Sequence, residues 1–434
     1  MIRAATAIAL FATICTGAAP AIAQEPTTMQ DGDMVTMEAR AQAVADVLGG
    51  NGNAADVFSS AFLAQVPEER LIALITQLEG QYGPYLGLEG IAATGPGPAI
   101  ISFRFENGRA SGPIAFDAQG LVQGLRLTQM EALNDGFDEI AADLAALPGT
   151  VGVYYASLDS DADTVLALGD TEHLAIGSAF KLYVLSTLAR SIEAGERNWA
   201  DVVPLTARSF PSGQMQDWPQ GAPVTLHTLA SLMISVSDNT ATDQLIAVLG
   251  REAVEAELRA SGHSDPDATL PFLSTFELFA LKGDSELGAT YAKEGYVGRT
   301  RLLKNLRGRT PDTITLPTFT EPTMIDTLEW FASGRDLAGI MKRLHDIEDP
   351  TARAILAISP ALTDAARQNW AYAGFKGGSE PGVLNLTWLL EDEVGVPYVL
   401  AMSWNDTQAE VDQKALELLS MRILALEPRP GMRE

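Results

Sequence analysis

The chain has 434 residues, 47% of them hydrophobic and 20% charged, with 38 glycines and 23 prolines spread along its length. That size and apolar content support a sizeable core and two domains, and the composition excludes collagen-like, coiled-coil and disordered classes. A formal net charge of −27 repels phosphate backbones and anionic lipid, which argues against nucleic-acid partners and peripheral membrane binding.

The first residues read as a targeting segment. Arg3 is the only charge before Glu25, an apolar run follows from Ala4 to Ile14, and Ala21-Ile22-Ala23 places small residues at the −3 and −1 positions of a cleavage site. Residues 1–23 are therefore expected to be a signal peptide, and the mature chain to be exported, periplasmic or secreted. The apolar run is too short to span a bilayer, and no later stretch reaches about 18 apolar residues, so no stable membrane insertion is expected. The bulky Ile14 before the single cysteine, Cys15, is a poor lipoprotein signal. Cleavage leaves no cysteine, which removes disulfides, thiol chemistry and cysteine-based metal sites.

Residues 24–130 predict a small α+β domain. Helical spacing runs over Met37–Leu48, stopping at Gly49-Gly50, then over Asp56–Leu63 and Pro67–Tyr82, with Glu68 and Glu69 in the last helix's first turn. The period then changes: residues 87–94, 98–106, 112–117 and 121–128 alternate or run apolar between Gly, Pro and Asn turns, as antiparallel strands do. Three helices followed by a curled sheet resemble the cone-shaped steroid-isomerase-like (NTF2-like) fold. No paired Tyr and Asp motif assigns catalysis to it, and a structural or positioning role is the expectation.

The second domain, 131–434, opens with a predicted helix over Glu131–Leu147 and predicted strands over Thr150–Leu158 and Thr164–Ala167. Its first chemical motif is Ser178-Ala179-Phe180-Lys181, opening a helix through Arg190. At the start of a helix, positions i and i+3 share a face, so hydroxyl and amine can meet. A serine hydroxyl needs a base to become a nucleophile, and a lysine serves only if burial and neighbouring charge lower its pKa. Ser-x-x-Lys alone is common by chance. Two further motifs follow: Ser237-Asp238-Asn239 after a predicted helix over Leu226–Val236, and Lys376-Gly377-Gly378-Ser379 just before a strand-like run, Val383–Leu390.

In this order the three motifs resemble the active-site elements of penicillin-recognising serine hydrolases, and the stretch Val224–Ile246, VTLHTLASLMISVSDNTATDQLI, resembles class A β-lactamases almost throughout. The stretches FPSGQMQDWPQG, LPFLSTFELFALKG and WFASGRDLAGIM are similar to a two-domain subgroup with a steroid-isomerase-like N-terminal domain, typified by the β-lactamase-like protein of clavulanic acid biosynthesis. The resemblance implies an α/β fold with helices packed on an antiparallel sheet and an acyl-enzyme mechanism that needs no cofactor. It also implies a role for each motif residue. Ser178 is the nucleophile and Lys181 its base. Ser237 relays the proton to the leaving group. Lys376 supplies a positive field that keeps Lys181 partly neutral and attracts an anionic substrate. Asn239 holds Lys181 and a substrate amide, the backbone N–H groups of Ser178 and Ser379 form the oxyanion hole beside Gly378, and Trp218 falls at the cleft entrance.

Two departures qualify this. Gly377 stands where β-lactamases carry the Ser or Thr that binds the substrate carboxylate, so that contact moves, to the Ser379 hydroxyl for example, or is lost. The family's deacylating glutamate has no match: the corresponding segment is Pro271-Phe272-Leu273-Ser274-Thr275-Phe276-Glu277, where Glu277 is the only carboxylate and reads better as an ion pair or helix start. Weak β-lactam turnover is therefore expected. The interval from Ser237 to Lys376 is longer than the class A pattern and includes the basic run Lys293–Arg309, read as a solvated helix face or a flap beside the site. His173, His227, His263 and His345 are scattered in sequence without a His-Glu-x-x-His pair, so no metal site is expected. The expected partner is a small molecule with an acyl or lactam carbonyl, handled by a monomer. An esterase or peptidase on the same serine, and a non-catalytic ligand- or cell-wall-binding protein, remain open alternatives.

Overall fold

A computed structural model describes residues 31–93, 99–132, 136–159, 164–306, 308–314, 319–362 and 364–426. The signal-peptide segment and Cys15 lie outside them. Among the described residues no helix is long and apolar enough to cross a membrane. The chain divides into two compact units, the first ending at residue 135 and the second beginning at residue 136.

The first unit packs helices Asp31–Leu48, Ala54–Val57, Ser60–Gln65 and Glu68–Tyr82 with five antiparallel strands. The single helix expected over Asp56–Leu63 is two short ones. Phe58 leaves the helix to bridge Val122, and Ser59 caps the next segment by accepting from the Phe62 N–H at 3.2 Å. Strand Gly108–Phe116 organises the sheet. Its residues 109–114 pair with 99–104 on one side, while on the other its second half takes Val122–Leu125 and its first half takes Gln129–Ala132. That last pairing corrects two expectations. Residues 129–132 are a strand of the first unit, and the helix predicted from Glu131 begins only at Phe137. Ile101, Phe103, Phe105 and Ile114 alternate inward and meet Val44, Phe58, Leu71 and Ile75 of the helices in one core.

The second unit is built on a five-stranded antiparallel sheet in the order Tyr372–Glu380, Val383–Glu391, Pro397–Asn405, Thr150–Ser157, Thr164–Leu168. The two-residue period divides its side chains between two cores. Val153, Tyr155, Leu386, Trp388, Leu400 and Met402 face the helices Phe137–Ala145 and Gln413–Ala425. Tyr154, Ala156, Leu389, Val399 and Ala401 face a helical layer that includes Lys181–Glu193, Leu226–Ser235, Asn239–Leu249 and Gly334–His345. Burial on both faces explains why these strands read as apolar runs rather than clean alternations.

Two elements differ from the sequence reading in ways that matter for chemistry. The Ser178 segment is a single 3₁₀ turn, Gly177–Phe180, that hands over to the α-helix Lys181–Glu193. The third motif lies inside the edge strand Tyr372–Glu380 rather than ahead of a strand. A helix tip thus meets a sheet edge.

Candidate active site

The meeting of turn and strand depends on glycine. Gly177 has φ of +47°, and a Cβ there would lie 3.1 Å from the Ser379 nitrogen. A Cβ on Gly378 would lie 2.3 Å from the Ser178 nitrogen and 2.2 Å from the Ile176 carbonyl oxygen, an approach no other residue permits. The backbones of Gly177-Ser178 and Gly378-Ser379 are therefore in contact. From the other side, the Ile176 N–H donates to the Trp330 carbonyl at 3.0 Å, and the Trp330 ring stacks on Phe180 with centroids 3.6 Å apart. Ser178 is half-buried on this clamped turn, and Ser379 is exposed on the strand.

Lys181 begins the helix and is completely buried. Its Nζ donates to the Ser237 carbonyl at 2.7 Å, the Ser237 Oγ at 2.9 Å and the Asn239 Oδ1 at 2.7 Å. An ammonium has three protons, so these acceptors use all of them. Burial, reinforced by the positive charge of Lys376, holds the Lys181 pKa well below the ordinary lysine value, against the opposing pull of Asp243 and Asp238. As a neutral amine Lys181 gains a lone pair and gives up one donor, and Ser237 Oγ can then turn from acceptor to donor. Ser237 is set for this by a left-handed backbone, φ 55°, which brings its carbonyl and its hydroxyl to the same amine. For a non-glycine residue that conformation costs about 1–3 kcal/mol.

Asp238 and Asn239 build the surroundings. Asp238 Oδ1 accepts from the Ala241 N–H, capping Asn239–Leu249, while Oδ2 accepts from the N–H groups of Gln214 and Met215 at 2.7 and 2.9 Å. Ser212 adds its hydroxyl to the Ser237 carbonyl. Asp238 thus pins the segment that ends at Trp218, which is partly exposed and whose N–H donates to the Met215 carbonyl. Asn239 Nδ2 donates to the Phe210 carbonyl at 3.2 Å, which fixes its Oδ1 toward Lys181.

Lys376 is buried on the edge strand, and burial brings its pKa down to about 7. Its Nζ donates to the Gly377 carbonyl. A Cβ on Gly377 would sit 2.9 Å from the Asn385 carbonyl oxygen of the neighbouring strand, so the Ser or Thr of the β-lactamase pattern does not fit this backbone without a shift. The structure brings Ser178, Lys181, Ser237, Asn239, Lys376, Gly378 and Ser379 to one place.

Glu277 has a different task. Both its oxygens take the Arg251 guanidinium, at 2.6 and 2.8 Å, and it closes a capping box with Ser274 at the start of helix Thr275–Lys282. The same helix start is held to the site by Asp243, a residue the sequence reading passed over. Asp243 accepts from the N–H and hydroxyl of Thr275 and from the Phe276 N–H, and burial pushes its pKa up to about 6. Its position one helical turn after Asn239 was the available signal. In the basic run, Arg299 is not a solvated charge: its guanidinium donates to the carbonyls of Asp267 and Leu270 at 3.1 and 2.9 Å. Lys293, Arg301, Lys304 and Arg309 are exposed, and residue 307 lies outside the described ones.

The histidines are less scattered in space than in sequence. His173 and His263 approach to 6.0 Å between rings, and Asp336 lies beside them, so three side chains of types able to ligate a metal come together. Both nitrogens of His263 have partners, Nε2 facing the Phe331 carbonyl at 2.8 Å and Nδ1 accepting from the Asp265 N–H at 3.2 Å. Asp336 is saturated by Ser333 and Ser264. This donor set serves as a hydrogen-bonded support for helix Gly334–His345 and does not suit a cation. A cavity of about 420 Å³ lined in part by His173, Asp326, Phe331 and Asp406 contains none of the motif residues.

Residues 137–358 match the beta-lactamase enzyme family. The chain belongs to that family. No curated protein matches it. Among solved structures it is similar to a β-lactamase from Sphaerobacter thermophilus, at 23% identity over 67% of this chain and 95% of that one, with a TM-score of 0.45. A structure of PBP-A shows 18% identity over 66% and 94% of the two chains, with a TM-score of 0.46. A β-lactamase from Francisella tularensis shows 14% identity over 66% and 96%, also with a TM-score of 0.46.

Proposed function

We propose that this member of the beta-lactamase family is an exported serine hydrolase that forms an acyl-enzyme on Ser178 and turns it over slowly. The observation that carries the reading is the buried Lys181 amine, held by Ser237 and Asn239 three residues after Ser178 and depressed in pKa by burial and Lys376. Neutral Lys181 takes the Ser178 proton, directly or through water, as Oγ attacks the carbonyl. Ser237 passes a proton to the departing nitrogen or oxygen. The N–H groups of Ser178 and Ser379 receive the oxyanion, each worth about 3 kcal/mol, and Lys376 draws an anionic substrate toward the strand. Trp218 borders the entrance.

The substrates proposed are β-lactams, poorly, and small activated esters, better. Gly377 favours the ester side, because a carboxylate-binding hydroxyl is missing at that position. The first unit, read as a steroid-isomerase-like domain of the two-domain subgroup, positions rather than catalyses. Incubation of the purified chain with benzylpenicillin or p-nitrophenyl acetate, followed by peptide mass mapping, tests the reading. An adduct on Ser178 that disappears in Ser178→Ala supports it, and binding without any covalent adduct supports a non-catalytic ligand binder instead.

A further inference from the structure

The segment Leu270–Glu277 carries no free carboxylate to activate water against an acyl-enzyme, since Glu277 is occupied by Arg251 and by its own helix cap. The edge strand carries another carboxylate, Glu380, which is ion-paired to Lys282 and forms no part of a helix cap. Tyr372–Glu380 pairs with Val383–Glu391 in unbroken register, so alternate residues of the strand share a face. Gly378 faces the Ser178 nitrogen, and Lys376 lies close enough to Lys181 to depress its pKa. Glu380 is the next residue on that same face, about 7 Å along the strand from Gly378.

Glu380 does not stand alone. Its Oε1 takes the Lys282 Nζ at 2.5 Å, and the same ammonium reaches Glu329 Oε1 at 2.5 Å. Lys282 is the last residue of the helix whose first turn is held by Asp243 and whose capping box contains Glu277, and Glu329 precedes the Trp330 that stacks beneath Phe180. Two carboxylates and one ammonium thus meet at the sheet edge. The side chains of Lys282 and Glu329 are sealed, at 0% and 1% exposure, whereas that of Glu380 retains 14%. Only Glu380 of the three reaches water.

We infer that Glu380 is the group that activates the deacylating water, a role that rests on the acyl-enzyme reading of Ser178. Glu380 takes a proton from water while the water oxygen bonds to the acyl carbon. The bond from that carbon to Ser178 Oγ then breaks, and Glu380 returns the proton to Ser178 Oγ. An acyl ester and a water become an acid and a free serine. Lys282 and Glu329 position the carboxylate and set its charge. Burial and the second carboxylate hold the Glu380 pKa far above the usual range, against the opposing effect of Lys282. Ionisation of the base is therefore harder than for an ordinary carboxylate.

Burst kinetics with p-nitrophenyl acetate separate the steps on the full chain, the burst reporting acylation and the steady state deacylation. In Glu380→Gln the burst is expected to persist within about threefold, the steady-state rate to fall about 100-fold, and the Ser178 adduct to accumulate. The wild-type steady-state rate is expected to rise with pH as Glu380 ionises, and the rise to vanish in Glu380→Gln. In Glu329→Gln it should move to lower pH, because the neighbouring charge that opposes ionisation is gone. A purely structural cluster gives no such shift. Wild-type deacylation in Glu380→Gln, or equal loss of burst and steady state in both variants, overturns the inference. A wild-type chain that shows no burst and no Ser178 adduct overturns the acyl-enzyme reading itself.

Discussion

Glu277→Gln separates two meanings of a carboxylate near an active site. In the structure the side chain is a partly buried ion-pair partner, 14% exposed, bonded twice to Arg251 and once to the Ser274 N–H at 2.9 Å. Glutamine keeps the reach to the Ser274 N–H, because either Glu or Gln completes a capping box. It loses the charge that faces Arg251, and hydrogen bonds to charged groups contribute about 1.5–3 kcal/mol. Arg251 also donates to the Phe272 carbonyl at 2.6 Å, so it keeps one partner and the cost should fall at the lower end, about 1.5 kcal/mol. For a unit of this size that lowers Tm by about 2–3 °C. Deacylation should change less than about twofold, because no general base has been removed. Thermal unfolding and single-turnover kinetics on the same preparation read both quantities. A variant that unfolds like wild type but accumulates acyl-enzyme about 100-fold would refute the assignment and make Glu277 the base.

Lys376→Ala should cut acylation at least about tenfold, because the charge that depresses Lys181 and attracts the substrate disappears; Ser379→Ala should cut it less, since its N–H remains. Acylation should follow a bell-shaped pH profile in wild type, rising as Lys181 becomes neutral and falling as Lys376 loses its charge through about pH 7. The Asp243 carboxyl has its pKa pushed up to about 6 from an ordinary 3.8, so its protonated form favours the native state. That contribution is full below about pH 4 and is lost as pH rises through about 6. Urea unfolding midpoints of Asp243→Asn should therefore lack a decline that wild type shows in this window.

The three motifs were legible because each is local: a Ser-x-x-Lys turn, a Ser-Asp-Asn sequence just after a helix, and a Lys-Gly-Gly-Ser strand edge. What the spacing could not show was how they meet. The contact of Gly378 with the Ser178 nitrogen joins distant segments, and its necessity appears only when the space for a Cβ is measured. The cluster of Lys282, Glu329 and Glu380 was hidden for the same reason, since Lys282 and Glu380 stand 98 residues apart. His173 and Ser264, bonded at 2.8 Å, are 91 residues apart. Periodicity failed where tertiary pairing overrode it. The helical pattern read from Glu131 onward takes in residues 131 and 132, yet Gly108–Ser111 offers an open strand edge and claims them with residues 129 and 130. Phe58 interrupts an otherwise helical run to bridge Val122.

The most direct test of the account is the mass of the chain after brief exposure to benzylpenicillin at neutral pH. One adduct per chain is expected, mapping to the peptide that contains Ser178, absent from Ser178→Ala and strongly reduced in Lys181→Ala. An adduct on another residue, or one that survives in Ser178→Ala, contradicts it.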